Sequence, residues 1–154
     1  MVIIEDTRQQ DGKHDLKHEH FKADGVDLIR CKLPFGDYAL PPVVAVDTKK
    51  GLEEICANIC GSKATHNRFK RECVNARDAG CKLFILVEND DGITDLSQVH
   101  TWINPRLVYY PESATGERLQ KAMTTMSERY GVTFLFCPYE EAAETIERIL
   151  LENA

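Results

Sequence analysis

Short apolar runs and helical repeats alternate along the chain, and their spacing predicts its elements. Strands are predicted where apolar residues run on or alternate, at 2–4, 26–32, 36–40, 43–48, 81–87 and 132–137. Helices are predicted where apolar residues recur three and four positions apart, at 14–23, at two segments between 52 and 76 that separate near Gly61, at 117–130 and at 139–151. This order predicts one α/β domain over residues 1–154, in which helices cover both faces of a mixed sheet.

Three segments carry more specific expectations. The run CKLFILV at 81–87 is almost continuously apolar, which predicts a strand buried on both faces. The segment 94–111 contains TWINPR, and we expect its Trp102 to pack inward, the alternative being a specificity loop. One face of the helix at 117–130 is expected to pack inward, although a homodimer contact is the alternative; its residues are Leu119, Met123 and Met126.

Composition excludes several classes of protein. No apolar run is long enough to cross a bilayer, and the first ten residues lack the basic flank and apolar stretch of a signal peptide. The six cysteines mostly fall inside apolar patterns, so we expect them to be reduced and buried in a cytoplasmic protein. We expect neither a membrane contact nor a small-molecule cofactor.

Charge is unevenly distributed along the chain. The net charge is −6, which argues against a non-specific DNA binder, and the segment 140–152 is acidic. By contrast, the segment 63–77 has a single acid, Glu72, among its basic residues, which are Lys63, Arg68, Lys70, Arg71 and Arg77. A basic helix on an acidic body could meet a phosphate backbone, but charge alone favours a solvated helix face.

Two acids are predicted to face each other near the middle of the chain. In PFGDYALPPVVAVDTKKGLEE, a turn at Pro41-Pro42 makes the numbers of opposed residues sum to about 83 or 84. Only the second register places Asp37 opposite Asp47 on one face, because a slip of one residue turns every side chain over. Lys49 lies two residues after Asp47 and so points to the same face.

Two carboxylates that face each other on neighbouring strands require a cation or a shared proton. Mg²⁺ favours carboxylate oxygens, and a lysine beside it could orient or help deprotonate an attacking water. Asp6 ends the first strand and Glu53 begins the next helix, so both could approach the same place. Spacing alone favours a solvated Asp-Lys pair, because the D-x-K pattern is common by chance.

Two other clusters have metal-ligand spacing. His14, His18 and His20 form H-x-x-x-H-x-H, and the first two would share a helix face as a zinc pair. That helix is polar almost throughout, which favours a solvated surface. Cys56 and Cys60 are also four residues apart, but they lie on an apolar helix face, which favours core packing.

A series of motifs resembles one known family. In chain order, IEDTRQQ, LPFGDYALPP, VAVDTKKGLEE, RFKRE and KLFILVE resemble the XPF-type nuclease domain of the PD-(D/E)xK restriction-endonuclease-like superfamily. That domain carries D-x-R-E on its first strand, then G-D-Y, E-R-K-x-x-x-D and an LLIE-like strand. The matching positions are Asp6, Arg8, Gly36, Asp37, Tyr38, Asp47, Lys49 and Glu53. The segment 132–150 resembles the end of that domain, so the resemblance covers nearly the whole chain.

The chain departs from the family pattern at four positions. Gln9 stands for the glutamate of D-x-R-E, Asp47 for a glutamate, Thr48 for an arginine and Glu53 for an aspartate. The family carries a tandem helix-hairpin-helix module after its nuclease domain, and we expect none here. The stand-alone form resembles small bacterial or phage relatives.

The resemblance implies an endonuclease that uses Mg²⁺ or Mn²⁺ to hydrolyse DNA, at branched or flap structures in repair, recombination or phage replication. It implies that Asp37, Asp47 and the backbone carbonyl of Thr48 hold the ion and that Lys49 positions the water. It also implies supporting residues, namely Asp6 and Glu53 tuning the site, Arg8 supporting the acids or contacting phosphate, and Arg68, Lys70 and Arg71 following the DNA backbone. The alternatives are a non-catalytic DNA-binding or scaffold module of the same fold, and a nuclease for RNA or unbranched DNA.

Overall fold

Six strands form one mixed sheet in the part of the chain described by this computed structural model, residues 1–40 and 44–154. The strands are β1 (Val2–Asp6), β2 (Asp27–Cys31), β3 (Tyr38–Leu40), β4 (Val44–Lys50), β5 (Lys82–Glu88) and β6 (Thr133–Cys137). Their spatial order is β2-β1-β3-β4-β5-β6. The β3–β1 and β3–β4 pairs are antiparallel, and the β1–β2, β4–β5 and β5–β6 pairs are parallel.

Helices cover both faces of this sheet. They are α1 (Asp15–Ala23), α2 (Leu52–Cys60), α3 (Lys63–Asp78), α4 (Gly116–Tyr130) and α5 (Ala142–Asn153), with 3₁₀ turns at Leu96–Thr101, Pro105–Val108 and Tyr139–Glu141. Apolar residues of α2, α3 and α4 build the core on one face, and those of α1 and α5 build the core on the other. The predicted α/β class with a mixed sheet and two helical layers is confirmed.

Element boundaries follow the sequence signals closely. The helix predicted to stop at Gly131 does so, because Gly131 adopts the left-handed conformation, with φ of 72°, that commonly ends helices. The predicted break near Gly61 separates α2 from α3, and the side chain of Ser62 caps α3 by accepting a hydrogen bond from the N–H of Thr65. Pro105 begins a 3₁₀ turn rather than only interrupting the chain. The turn predicted at Pro41-Pro42 lies outside the described residues.

The large apolar residues expected to pack inward do so. Trp102 is buried in the core beneath α2, α3 and α4, as expected for a packed insert. The inward face of α4 is buried as well; its residues are Leu119, Met123 and Met126. β5 lies between two parallel neighbours and is buried over most of its length. A homodimer remains a prediction.

The cysteines are all free thiols, but not all of them are buried. Cys31 is exposed on the edge strand β2, and Cys60 and Cys81 are only half-buried. The expectation of burial therefore holds for the remaining three, Cys56, Cys73 and Cys137. None of the helices in 1–40 and 44–154 is both long enough and apolar enough to cross a membrane.

Polar contacts hold α1 to its neighbours. Lys17 Nζ lies 2.9 Å from Glu88 Oε1 of β5, and both side chains are buried. His18 Nε2 lies 2.6 Å from Glu5 Oε2 of β1. The interpretation of this helix as a solvated surface therefore holds for most of its positions but not for Lys17, which is buried, nor fully for His18, which is half-buried.

Candidate active site

One of the two acids predicted to face each other, Asp37, lies just before β3, and the other, Asp47, lies on β4. Within the strands Tyr38 pairs with Val46 and Ala39 with Ala45, which is the predicted register in which opposed numbers sum to 84. The backbone N–H of Asp37 donates to Val46 O at 2.7 Å, which is one residue out of that register. Asp37 and Asp47 therefore line one pocket without a regular cross-strand pair between them, and their direct opposition stays a prediction.

Asp47 and Lys49 form a buried ion pair on the same face of β4. Lys49 Nζ lies 2.8 Å from Asp47 Oδ2, with 11% and 8% of their side chains exposed. Burial, followed by the nearby Asp37 carboxylate, raises the pKa of Asp47 well above its ordinary value. Burial alone would lower the pKa of Lys49, but Asp47 more than offsets this and holds it above its ordinary value. Lys49 is therefore an ammonium at neutral pH.

Asp37 is held by the neighbouring strand. Its Oδ2 accepts hydrogen bonds from the backbone N–H of Thr48 at 2.7 Å and from Thr48 Oγ1 at 2.9 Å. Thr48 therefore orients the Asp37 carboxylate toward the strand that carries Asp47 and Lys49. A side chain fixed in this way loses little further entropy when it binds a ligand.

Asp6 joins the same site from β1. Its backbone N–H donates to Asp37 O at 2.7 Å, and its carboxylate accepts from the N–H of Leu33 at 3.0 Å. Arg8 Nε donates to Asp6 Oδ2, and Arg8 Nη2 donates to Leu33 O at 2.9 Å. Arg8 thus contacts an acid of the site, and the roles that the resemblance implied for it stay predictions.

These groups line a pocket of about 420 Å³. Five acids and four basic residues line it, so neither sign of charge dominates, and the remaining lining residues are polar or glycine. The acids are Asp6, Asp37, Asp47, Glu54 and Glu72, and the basic residues are Arg8, Lys13, Lys49 and Lys50. A pocket of this composition can bind a cation among its carboxylates and an anion on its basic side chains.

The structure does not bring Glu53 to this pocket. Glu53 lines a separate cavity that also contains Cys56 and Cys60. Successive helical residues point about 100° apart, so Glu54 is the one that turns toward the site. Its Oε2 accepts from the N–H of Lys50 at 2.8 Å. A glutamate near the third position of a helix often turns back to the preceding backbone, and this signal could have identified Glu54.

Glu72 is an acid of the site that sequence analysis missed as a site residue. It lies on α3, and its Oε1 accepts from the N–H of Gly36 at 2.7 Å. Its negative charge also contributes to the raised pKa of Lys49. Thirty-six residues separate Glu72 from Gly36, and no local pattern links positions so far apart.

The N-terminal end of α1 forms another wall of the pocket. His14 lines it and is 8% exposed, and burial together with Lys17 lowers its pKa to about 4, so the imidazole is neutral at neutral pH. Because His14 lines the pocket while His18 pairs with Glu5, the structure does not support these two histidines as a zinc pair. Cys56 packs in the core as predicted.

The predicted basic helix is α3, and its three basic residues differ in position. Arg68 shares a groove with Lys49 and Glu72 beside the pocket. Arg71, three residues later, lies on the same side of the helix, whereas Lys70 lies about 200° from Arg68 around the axis. All three side chains are exposed.

Comparison with known proteins decides the family. The family model described as the ERCC4 domain matches residues 5–149. The chain belongs to this family. The resemblance to the XPF-type nuclease domain is therefore confirmed, and the matched range contains the whole ERCC4 domain site described above. A search of curated proteins finds no significant match.

Two solved structures share the fold of this ERCC4 domain. XPF from Aeropyrum pernix in complex with DNA has a TM-score of 0.70 and 18% identity, covering 98% of this chain and 64% of that chain. A second structure, XPF from Aeropyrum pernix, has a TM-score of 0.66 and 18% identity, covering 97% and 63%. The chain thus spans somewhat less than two thirds of both relatives, and the likeness confirms the fold.

Proposed function

We propose that this ERCC4 domain is a metal-dependent endonuclease that hydrolyses DNA phosphodiester bonds, at branched or flap structures. The observation that carries the proposal is the convergence of Asp37, Asp47 and Lys49 in one pocket. Membership of the ERCC4 domain family supports nuclease chemistry. The similar archaeal XPF was solved in complex with DNA, which supports DNA as the partner.

The residues present fit a divalent cation. Asp47 Oδ2 is buried and makes no well-directed hydrogen bond within the described part of the chain, although the Lys49 ammonium lies 2.8 Å from it. The Asp37 carboxylate lines the same pocket, and Mg²⁺ and Mn²⁺ favour such oxygen donors. Asp37, Asp47 and the backbone carbonyl of Thr48 would hold the ion. When bound, it would supply charge neutralisation for the phosphoryl oxygens and a more acidic water.

The chain's own residues would then position the reactants. The Lys49 ammonium, fixed by Asp47 and lying 5.5 Å from the centre of the Phe69 ring, would donate to the attacking water or to a phosphate oxygen. Asp6 would tune the charge of the site through its contact with the Asp37 backbone. Holding the water and the phosphate together lowers the entropic part of the barrier.

The rim of the pocket would hold the DNA backbone. Arg68 lies in the groove beside Lys49, so it is placed for a phosphate contact next to the scissile bond. Arg71 would extend the contact along α3, and Lys70 would contribute less because it points to another side of the helix. Arg68→Ala should therefore lower the affinity for DNA more than Lys70→Ala does. It should also reduce the dependence of that affinity on salt concentration more strongly.

The test is cleavage of linear, flapped, forked and four-way DNA with and without Mn²⁺ or Mg²⁺. Asp47→Asn and Lys49→Ala should lower metal-dependent cleavage by about 10²-fold or more while leaving the circular dichroism spectrum unchanged. Two exposed strand positions supply matched controls, Asp27→Asn on β2 and Lys82→Ala on β5, and both should cleave like the parent.

Two results would overturn the proposal. Undiminished cleavage by both site variants would remove Asp47 and Lys49 from the chemistry. DNA binding by the parent with no metal-dependent nicking of any substrate would instead support a non-catalytic scaffold module. Preferential cleavage of RNA or unbranched duplex would change the proposed substrate and leave the assignment of the active-site residues in place.

A further inference from the structure

A second group of metal-type ligands lies where α1 meets α5, apart from the candidate active site. It consists of His20 on α1, Asp24 just after that helix, and Glu147 on α5. Among the residues that the structure describes, it is the one group of three or more His, Cys, Asp or Glu side chains whose donor atoms all lie within 4.8 Å of one another. None of the three lines the active-site pocket.

The separations of the donor atoms suit a small divalent ion. His20 Nε2 lies 3.0 Å from Glu147 Oε2 and 3.3 Å from Asp24 Oδ2. In a tetrahedral zinc site with metal–ligand bonds of about 2.0–2.1 Å, neighbouring ligand atoms lie about 3.3 Å apart. An ion could therefore enter among these atoms with only small movements of the side chains.

The Glu147 carboxylate needs more positive charge than it has in the structure. Glu147 is 8% exposed, and its Oε1 is buried without a hydrogen-bond partner among residues 1–40 and 44–154. A divalent ion placed among the three side chains would bring positive charge to both carboxylates and could also use the free oxygen of Glu147.

We propose that His20, Asp24 and Glu147 bind one Zn²⁺ that joins α1 to α5. The imidazole nitrogen favours zinc over Mg²⁺, which prefers oxygen ligands and retains several waters. The side chains of His20 and Asp24 are partly exposed, so the ion can enter from solvent. This site is independent of the proposed nuclease activity.

The ion would act as a structural clip. α1 carries the pocket-lining His14 immediately before its first residue and the buried Lys17 in its first turn. Fixing the other end of α1 to α5 would therefore stabilise the wall of the pocket. Bound Zn²⁺ should raise the melting temperature, because an ion that binds only the folded state stabilises that state.

Zinc stoichiometry provides the first test. Tag-free protein carrying Asp47→Asn, which weakens metal binding at the active site, is dialysed against Zn²⁺ and its metal content measured by plasma mass spectrometry. We expect close to one zinc per chain in this background and in a matched His18→Ala control, and almost none after His20→Ala or Glu147→Gln. Equal zinc content in all four proteins, or no zinc in the background, would overturn the proposal.

A second test avoids variants that disturb the fold. The Asp24 side chain is 51% exposed, so Asp24→Ala should leave the metal-free melting temperature nearly unchanged. Zn²⁺ should raise the melting temperature of the parent by several degrees and that of Asp24→Ala much less. Identical zinc-induced shifts in the two proteins would show that the ion binds elsewhere.

Discussion

Replacing Lys17 by methionine should destabilise the folded chain by about 3–5 kcal/mol, because it leaves the Glu88 carboxylate buried without its cation. The two charged atoms are 2.9 Å apart, and the side chains are 10% and 4% exposed. At an effective dielectric constant of about 20, their Coulomb attraction is about 6 kcal/mol. Part of this lost attraction is recovered when Glu88 takes up a proton, but the remaining destabilisation is a large fraction of a total stability of about 5–15 kcal/mol.

The loss should depend on pH in a defined direction. Burial raises the pKa of Glu88 despite the opposing effect of Lys17, so the folded state binds this proton more tightly than the unfolded state does. Stability from this group is then fully present below the ordinary carboxyl pKa and is lost as pH rises through the raised value. Without Lys17 the pKa of Glu88 in the folded state rises further. The deficit of Lys17→Met should therefore be larger at about pH 8 than at about pH 5.

Urea unfolding provides the assay, followed by far-ultraviolet circular dichroism and by fluorescence of Trp102, the single tryptophan. The double variant Lys17→Met/Glu88→Met should recover to within about 1 kcal/mol of the parent or exceed it. Lys22→Met, at an exposed position on the same helix, is the matched control and should change stability by less than about 0.5 kcal/mol. A single variant as stable as the parent, or a double variant no more stable than the single, would refute the reasoning.

Further outcomes are expected at other positions. Gly36→Ala should lower the free energy of unfolding by about 1–3 kcal/mol, and by more than Gly12→Ala does. Both glycines have positive φ, but a Cβ at Gly36 would lie 3.1 Å from a neighbouring side chain, whereas a Cβ at Gly12 would meet open space. Equal losses of stability in thermal unfolding would contradict this. Glu72→Gln should keep its backbone contact but lower Mn²⁺-dependent cleavage by about 10-fold, and unchanged cleavage rates would argue against a role in the site. A hydrogen bond from Cys56 lowers the pKa of Cys60 to about 7, so its alkylation by iodoacetamide, mapped by mass spectrometry, should rise steeply around about pH 7. Alkylation of Cys60 that begins only near the ordinary pKa of a cysteine thiol would contradict the lowered pKa of Cys60.

The heart of the candidate site was predictable from local patterns. Asp37 and Asp47 are close in sequence, and the predicted register of the two strands that they flank or lie on brings both to one pocket. The same alternation places Lys49 beside Asp47. Glu53 was predicted for the site, but Glu54 lines the pocket instead, because a helix start must be known to one residue before its first turn can be oriented. The glutamate that turns back to the Lys50 N–H was a usable signal.

Local patterns were enough to predict the strands, the helices and the Asp-Lys face of β4, because the periods of helix and strand are set by backbone geometry over a few residues. Contacts between distant side chains, in contrast, follow from the three-dimensional fold. Glu72 reaches Gly36 across 36 residues, and His20 reaches Glu147 across 127. Such contacts depend on how the helices pack against the two faces of the sheet, and no repeating pattern in the sequence marks the residues that meet in this way.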